Sequence, residues 1–214
     1  SYMIQASLKS KFERYSKEAI PGGMTGRDVA LKMLHDNGIY DVSVVSTRGL
    51  LTDYYDPTKK TVNLSEGVYA SCSVAAAAVA AHECGHAVQH ATKYSFLQLR
   101  SKLVPAVSFA SQWVSWIILA GILLLQVMPG ILFAGIILFA LTTLFSFITL
   151  PVEIDASRRA LVWLNQTGIT EGTSHEHATD ALKSAAYTYV IAALGSLATL
   201  VYYVMIFLGS QRDE

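Results

Sequence analysis

Three long uncharged runs constrain the fold of this 214-residue chain more than any other feature. Residues 104–127, 130–150 and 187–208 contain no Asp, Glu, Lys or Arg. Each run is long enough to cross the hydrocarbon core of a bilayer, for which about 20 residues are needed. The alternative is three buried helices of a soluble protein, but uncharged runs of this length are rare in so short a chain. The sequence therefore predicts three transmembrane helices.

The positions of prolines and positive charges predict how these helices are arranged. Residues 128–130 (MPG) are predicted to form a tight turn between the first two spans, and Pro151 to end the second. Positive charges flank the spans at Lys93, Arg100, Lys102, Arg158, Arg159 and Lys183. The positive-inside rule then places residues 1–102 and 152–183 in the cytoplasm, with the turn and the C-terminal tail outside.

The resulting domain prediction has four parts. Residues 1–102 form a cytoplasmic domain, residues 103–150 a two-span hairpin, residues 151–184 a second cytoplasmic segment, and residues 185–209 a last transmembrane helix. The formal net charge of +0 argues against a nucleic-acid partner. Two cysteines, Cys72 and Cys84, are too few for a disulfide framework and are predicted to be reduced thiols.

The cytoplasmic domain is predicted to be mainly helical. Residues 5–18 form a basic amphipathic helix, which fits either contact with anionic lipid or an ordinary solvated surface. A second helix covers residues 26–37, with Thr25 as its N-cap and Asp28 completing a capping box. Ser65 is a candidate cap for the Ala-rich helix that follows, which begins in earnest at residue 73.

Three short β-prone runs lie between these helices, near residues 42–45, 50–55 and 61–64. They predict a small antiparallel sheet. The predicted fold class is thus a mainly α membrane protein, with a cytoplasmic part that contains this sheet and three transmembrane helices.

The motif His82-Glu83-Cys84-Gly85-His86 points to metal chemistry. Two histidines four residues apart lie on one face of a helix, about 6 Å apart along its axis, so both imidazoles can reach one zinc ion. Glu83 is rotated away from that face and can act as the general base toward a zinc-activated water. Gly85 keeps the helix surface thin where a substrate or another helix approaches. A pair of core histidines with a surface glutamate is the structural alternative.

A zinc site of this kind needs a third protein ligand. His90 lies on the same helix, but His82 and His90 are about 12 Å apart along the axis, too far to share one tetrahedral ion. The sequence leaves four other candidates open. They are Glu153, Asp155, His175 and His177, the two histidines lying in a segment that the composition predicts to be a loop.

Several runs together resemble the YugP-like neutral zinc metallopeptidases of bacteria. They are residues 49–57 (GLLTDYYDP), 63–65 (NLS), 73–76 (SVAA), 81–89 (AHECGHAVQ), 150–160 (LPVEIDASRRA) and 185–190 (AAYTYV). The resemblance covers nearly the whole chain. It implies an integral zinc metallopeptidase of the bacterial plasma membrane with a zincin-like cytoplasmic domain. Such an enzyme is distantly similar to the HtpX and CAAX-type proteases and acts on polypeptides at the cytoplasmic face.

The resemblance also implies which residues form the site. Relatives take the third zinc ligand from a glutamate that corresponds to Glu153, so the implied ligands are His82, His86 and Glu153. An aspartate follows that glutamate four residues later in those relatives, whereas this chain has Ser157 there and Asp155 as the nearest acid. The family usually begins with a membrane span, and we expect one upstream of the polar start of this sequence.

Substrate contacts are predicted less sharply. Residues 61–64 could be a sheet edge that pairs with an extended substrate, or an ordinary edge strand. Arg158, His175 and Tyr189 are open candidates for stabilising an oxyanion.

Two rival functions fit the sequence less well. A di-iron membrane hydroxylase needs about eight clustered histidines and this chain has 6, and a non-catalytic membrane scaffold would not require Glu83.

Overall fold

The computed structural model describes the backbone of residues 2–211 and the side chains of residues 5–211. Residue 1 and residues 212–214 lie outside the described residues. The predictions for the start of the chain and for its C-terminal tail concern these residues. The chain divides into two compact units. Unit 1 comprises Ser1–Leu97 and Pro151–Thr188, and unit 2 comprises Gln98–Leu150 and Tyr189–Glu214.

The described residues form seven α-helices, one short 3-10 helix at Pro21–Gly23 and three strands. The helices are α1 (Tyr2–Tyr15), α2 (Gly26–Asp36), α3 (Glu66–Tyr69), α4 (Val74–Ala91), α5 (Ser95–Leu123), α6 (Pro129–Gln166) and α7 (Gly172–Ser210). The strands are β1 (Ser43–Thr47), β2 (Tyr54–Asp56) and β3 (Thr61–Ser65). The mainly helical fold class with a small sheet is therefore confirmed, and three of the helices are long and apolar enough to cross a membrane.

The caps of the first helices follow from local hydrogen bonds. The predicted capping box of α2 is confirmed, because the Thr25 hydroxyl accepts from the Asp28 amide and the Asp28 carboxylate accepts from the Thr25 amide. Ser65 lies at the N-cap position of the next helix, α3, but its side chain does not cap that helix. The Ser65 hydroxyl and amide both donate to the Asp53 carboxylate. Ser73 caps the Ala-rich helix α4 instead, by accepting from the Ala76 amide at 3.2 Å.

The sheet is mixed, which corrects the prediction of an antiparallel sheet. Its strand order is β1-β3-β2, with β1 parallel to β3 and β2 antiparallel to β3. After β1 the chain passes to the opposite edge of the sheet to form β2. Strand β3 then lies between β1 and β2. Residues 61–64 therefore lie in the central strand, and the prediction that they form a sheet edge is also wrong.

The core of unit 1 is built around α4. Its alanines have little side-chain volume, so α2 and β3 pack closely against it. The large, fully buried side chains that meet there include Met33, Leu34, Leu64, Val68 and Leu164. Burying an aliphatic side chain of this size stabilises a fold by about 1.5–3 kcal/mol relative to leaving it exposed. This packing holds α4, which carries the histidine motif, as the central helix of unit 1.

Helix α6 continues through Pro151, so this proline does not break the helix where the uncharged run ends. A proline removes one backbone hydrogen bond, and long apolar helices tolerate that loss. Glu153 consequently lies on the same continuous helix as the second apolar run. His175 and His177 lie in the first turns of α7 and not in a loop.

Unit 2 contains the apolar parts of α5, α6 and α7. The connection between α5 and α6 covers residues 124–128, slightly before the predicted turn, and Pro129 opens α6 at a position where its missing N–H costs nothing. Glycines allow close packing of this hairpin, since a Cβ on Gly121 would lie 2.5 Å from the Leu132 Cα. The hydroxyls of Thr143 on α6 and Ser196 on α7 lie 2.6 Å apart and join these two helices.

Candidate metal centre

The candidate site lies within unit 1, where α4 and α6 make a close approach. The absence of a side chain at Gly85 permits this approach, because a Cβ there would lie 2.6 Å from the Ala156 carbonyl oxygen. The predicted thin surface at Gly85 therefore accommodates a neighbouring helix. As a result, residues 153–157 of α6 lie opposite the histidine motif of α4.

The close approach brings one carboxylate against two imidazoles. Glu153 Oε2 lies 3.4 Å from His82 Nε2 and 3.6 Å from His86 Nε2. The two rings are 4.9 Å apart and nearly perpendicular, with an interplanar angle of 84°. The ligand atoms of the three residues all lie within 4.8 Å of one another. Among the described residues, this is the one cluster of His, Cys, Asp and Glu side chains that could hold a metal ion.

The other ring nitrogens of the two histidines have partners in the protein. His82 Nδ1 lies 3.1 Å from the Ser157 hydroxyl, and His86 Nδ1 lies 3.0 Å from Gln89 Oε1. These contacts hold each ring at its far side and leave both Nε2 atoms directed at Glu153. Hydrogen bonds of this kind orient metal-binding histidines in proteins.

Glu83 is buried beside this cluster, with 8% of its surface exposed. Burial raises the pKa of Glu83, although His82 and His86 act in the opposite direction. Within the described part of the chain, no residue hydrogen-bonds its carboxylate. The pKa of His86 is also raised, because Glu153 and Glu83 together outweigh the lowering effect of burial. Two largely buried carboxylates beside two imidazoles thus favour a positive charge at this position, which fits a bound cation.

The remaining candidate ligands lie elsewhere or have other partners. His90 is exposed, and its Nδ1 lies 2.9 Å from the Tyr55 hydroxyl. His175 Nδ1 contacts the Thr170 hydroxyl at 2.9 Å, and His177 Nδ1 contacts the Glu18 carboxylate at 2.6 Å. Of the four third-ligand candidates that the residues alone left open, Glu153 is the one that joins the two histidines.

Asp155, which the sequence left open as a third metal ligand, does not belong to the cluster of His82, His86 and Glu153. Its Oδ2 accepts from Gln89 Nε2 at 2.9 Å and from Arg159 Nε at 2.6 Å. Ser157, four residues after Glu153, contacts His82 directly. Sequence reasoning missed Gln89 altogether. The available signal was its position three residues after His86, on the same face of the helix.

Comparison with known proteins assigns the chain to a family. The family model described as "Putative neutral zinc metallopeptidase" matches residues 1–208. The chain belongs to this family. The protein described as "Putative membrane protease YugP" from Bacillus subtilis (strain 168) is 45% identical over 214 residues, which are 100% of this chain and 94% of that protein. No solved structure matches the chain.

The family description agrees with the donors that the structure brings together. Zinc in catalytic sites takes imidazole nitrogen and carboxylate oxygen from three protein side chains and keeps a further position open. Two histidines and one glutamate are such a set, and harder ions such as Mg²⁺ and Ca²⁺ prefer oxygen ligands alone. The donor atoms of His82, His86 and Glu153 therefore fit zinc.

Proposed function

We propose that this chain is a membrane-embedded zinc metalloendopeptidase in which His82, His86 and Glu153 hold zinc and Glu83 is the general base. The observation that carries the proposal is the convergence of two Nε2 atoms on Glu153 Oε2, at 3.4 and 3.6 Å, across α4 and α6. A histidine pair on one helix is common, but a buried carboxylate brought from another helix to the same point completes a set of three donors that catalytic zinc sites use.

The residues divide the chemistry of peptide hydrolysis between them. When bound, zinc supplies a Lewis acid that lowers the pKa of a coordinated water towards 7 and polarises the peptide carbonyl. Glu83 takes the proton of the attacking water on its carboxylate and returns it to the leaving amine. Its carboxylate is available for this transfer because no described residue hydrogen-bonds it.

The same proposal gives the protein a place in the cell. Residues 103–150 and 185–209 cross the bacterial plasma membrane, and residues 1–102 and 151–184 carry the site on the cytoplasmic side. Support comes from the distribution of Lys and Arg along the sequence and from three apolar helices of sufficient length. The partners are then the lipid bilayer and a polypeptide substrate that reaches the cytoplasmic face.

Strand β2 is the better candidate for pairing with an extended substrate, in place of residues 61–64. It is an edge strand, and it packs against α4, the helix that carries the motif. The Tyr55 hydroxyl of β2 lies 2.9 Å from His90 Nδ1 of α4 and links the strand to the helix. Main-chain pairing with an edge strand would make cleavage tolerant of the substrate's sequence.

Casein hydrolysis by the detergent-purified chain tests the function. Glu83→Gln preserves the size of the side chain and removes the base, so we expect activity to fall by about 10²–10⁴-fold. Glu176→Gln is the matched control, because Glu176 is an exposed glutamate on α7 and its substitution should leave activity unchanged. Full activity in Glu83→Gln would exclude Glu83 as the base. A wild-type protein without activity or zinc would favour a membrane scaffold.

A further inference from the structure

Gln89 is a buried polar side chain that connects the two helices of the site. It is 0% exposed. Its Oε1 faces His86 Nδ1 at 3.0 Å, and its Nε2 donates to the Val152 carbonyl at 2.8 Å and to Asp155 Oδ2 at 2.9 Å. One amide therefore links a histidine on α4 to two acceptors on α6, and both of its polar atoms have partners.

The two acceptors on α6 determine which way the amide faces. A carbonyl oxygen and a carboxylate oxygen can only accept here, and Asp155 Oδ2 also accepts from Arg159 Nε at 2.6 Å. The NH₂ group of Gln89 must therefore point at α6, and its oxygen at His86. Because an amide oxygen cannot donate, His86 Nδ1 carries the hydrogen of this contact. In the neutral ring, the lone pair is then on Nε2, the atom that faces Glu153.

His82 lacks an equivalent constraint. Its Nδ1 contacts the Ser157 hydroxyl at 3.1 Å, and a hydroxyl can either donate or accept. Either tautomer of His82 is compatible with that contact. The two histidines thus differ in how strongly their surroundings prepare them to bind a metal ion through Nε2.

We propose that Gln89 and Asp155 are positioning residues that hold His86 in its Nδ1–H tautomer and lock α6 against α4 at the metal site. The inference rests on the proposed function, since it assigns His86 a zinc to bind. Arg159 secures the outer end of this chain of hydrogen bonds through Asp155. Removing such a partner of a metal-binding histidine typically weakens metal affinity 10–100-fold.

The first experiment compares zinc affinity in variants with the same chemical change. Gln89→Leu removes the amide and keeps a side chain of similar volume. Gln166→Leu is the control, because Gln166 is exposed at the end of α6, about 20 Å along the helix from Glu153. We expect zinc affinity, measured by competition with a chromophoric chelator, to fall about 10–100-fold in Gln89→Leu and to stay unchanged in the control.

A second pair of variants separates positioning from a general loss of packing. Gln89→Glu keeps an acceptor for His86 but places a carboxylate against Asp155, so zinc affinity should fall at least as far as in Gln89→Leu. Adding Asp155→Asn returns a donor to that contact, and we expect the double variant to recover roughly tenfold in affinity. The visible absorption spectrum of bound Co²⁺ should change in Gln89→Glu and return toward that of the wild type in the double variant.

The outcomes distinguish this inference from the proposed function. Wild-type protein that binds zinc, together with equal affinity in Gln89→Leu and Gln166→Leu, would overturn the positioning role and leave the metal site intact. A double variant no better than Gln89→Glu would overturn the hydrogen-bond chain as its cause. Wild-type protein that binds no zinc would overturn both proposals.

Discussion

Each histidine of the candidate site uses its two ring nitrogens for different contacts. One nitrogen faces Glu153, and the other contacts a neutral polar side chain, Ser157 for His82 and Gln89 for His86. Glu83 lies beside them without a hydrogen bond to any described residue. Burial makes the charged form of this carboxylate costly and raises its pKa, and enzymes accept that cost where a base is needed.

A carboxylate far from this cluster should give the fold a measurable pH dependence. Hydrogen bonds from the Thr25 hydroxyl and amide hold the pKa of Asp28 below its usual value of 3.8. The charged form is thus favoured in the folded chain, so its stabilising effect is present at neutral pH and is lost as the pH falls through the lowered pKa. We expect Asp28→Asn to unfold at a lower temperature than the wild type at pH 7.

Thermal unfolding of detergent-solubilised protein between pH 7 and pH 3 measures this effect. The difference between wild type and Asp28→Asn should shrink as the pH decreases below about 4. Glu176→Gln again serves as the control, with a small difference that does not follow the titration of Asp28. A gap for Asp28→Asn that stays constant over the whole range would show that the capping carboxylate does not titrate with a lowered pKa.

Part of this site was predictable from the sequence alone. The spacing of His82 and His86 on a helix predicts their common face, because helical geometry is local. Glu153 could not be chosen over Asp155, His175 or His177 from the residues, since that choice depends on how distant helices pack. Resemblance to a family pattern selected it. The contact between Gln89 and α6 depends on the same packing of distant helices. The sequence signal for it is the position of Gln89 three residues after His86 on the same helix face.

The contact between α4 and α6 depends on a single missing side chain. A Cβ on Gly85 would lie 2.6 Å from the Ala156 carbonyl oxygen and 3.1 Å from its Cα, and both are backbone atoms that cannot rotate away. Any larger residue must push the helices apart. Such a shift would move Glu153 and Ser157 away from the histidines that they contact.

We therefore expect Gly85→Ala to disrupt the site more than the addition of a single methyl group would suggest. Overpacking of this kind costs about 1–3 kcal/mol, which outweighs the gain of about 0.5–1 kcal/mol that alanine brings to a helix. Both the unfolding temperature and the zinc content should decrease. Gly67→Ala on α3 is the matched control, since a Cβ on Gly67 would meet nothing within 4 Å and alanine should be tolerated. Normal zinc content in Gly85→Ala would contradict the close approach.

Helices and strands differ in how accurately they could be predicted from the sequence. The capping box at Thr25 and Asp28 is confirmed because its hydrogen bonds join neighbouring residues. Runs of β-prone residues located the three strands approximately, but such runs do not distinguish parallel from antiparallel pairing, and the predicted pairing was wrong. Pro151 was a misleading signal for the end of the helix, because the loss of one backbone hydrogen bond does not by itself end a long helix.

The two units have different compositions that suit different solvents. Unit 1 carries the sheet, the capped helices and the candidate metal centre, and its core is built on small alanines. Unit 2 buries few residues, and large apolar side chains such as Trp116, Leu123 and Met205 remain exposed on its surface. Such a surface suits hydrocarbon better than water. The division agrees with a family whose relative is described as a membrane protease.

Zinc content is the measurement on which the proposed function depends most. The metal bound per chain should be determined by elemental analysis on detergent-purified wild type, Glu83→Gln and Glu153→Ala. We predict about one zinc per chain in the wild type and in Glu83→Gln, because a base does not hold the metal, and a large loss in Glu153→Ala, which removes one of three ligands. Unchanged zinc in Glu153→Ala, or none in the wild type, would contradict the site that we propose.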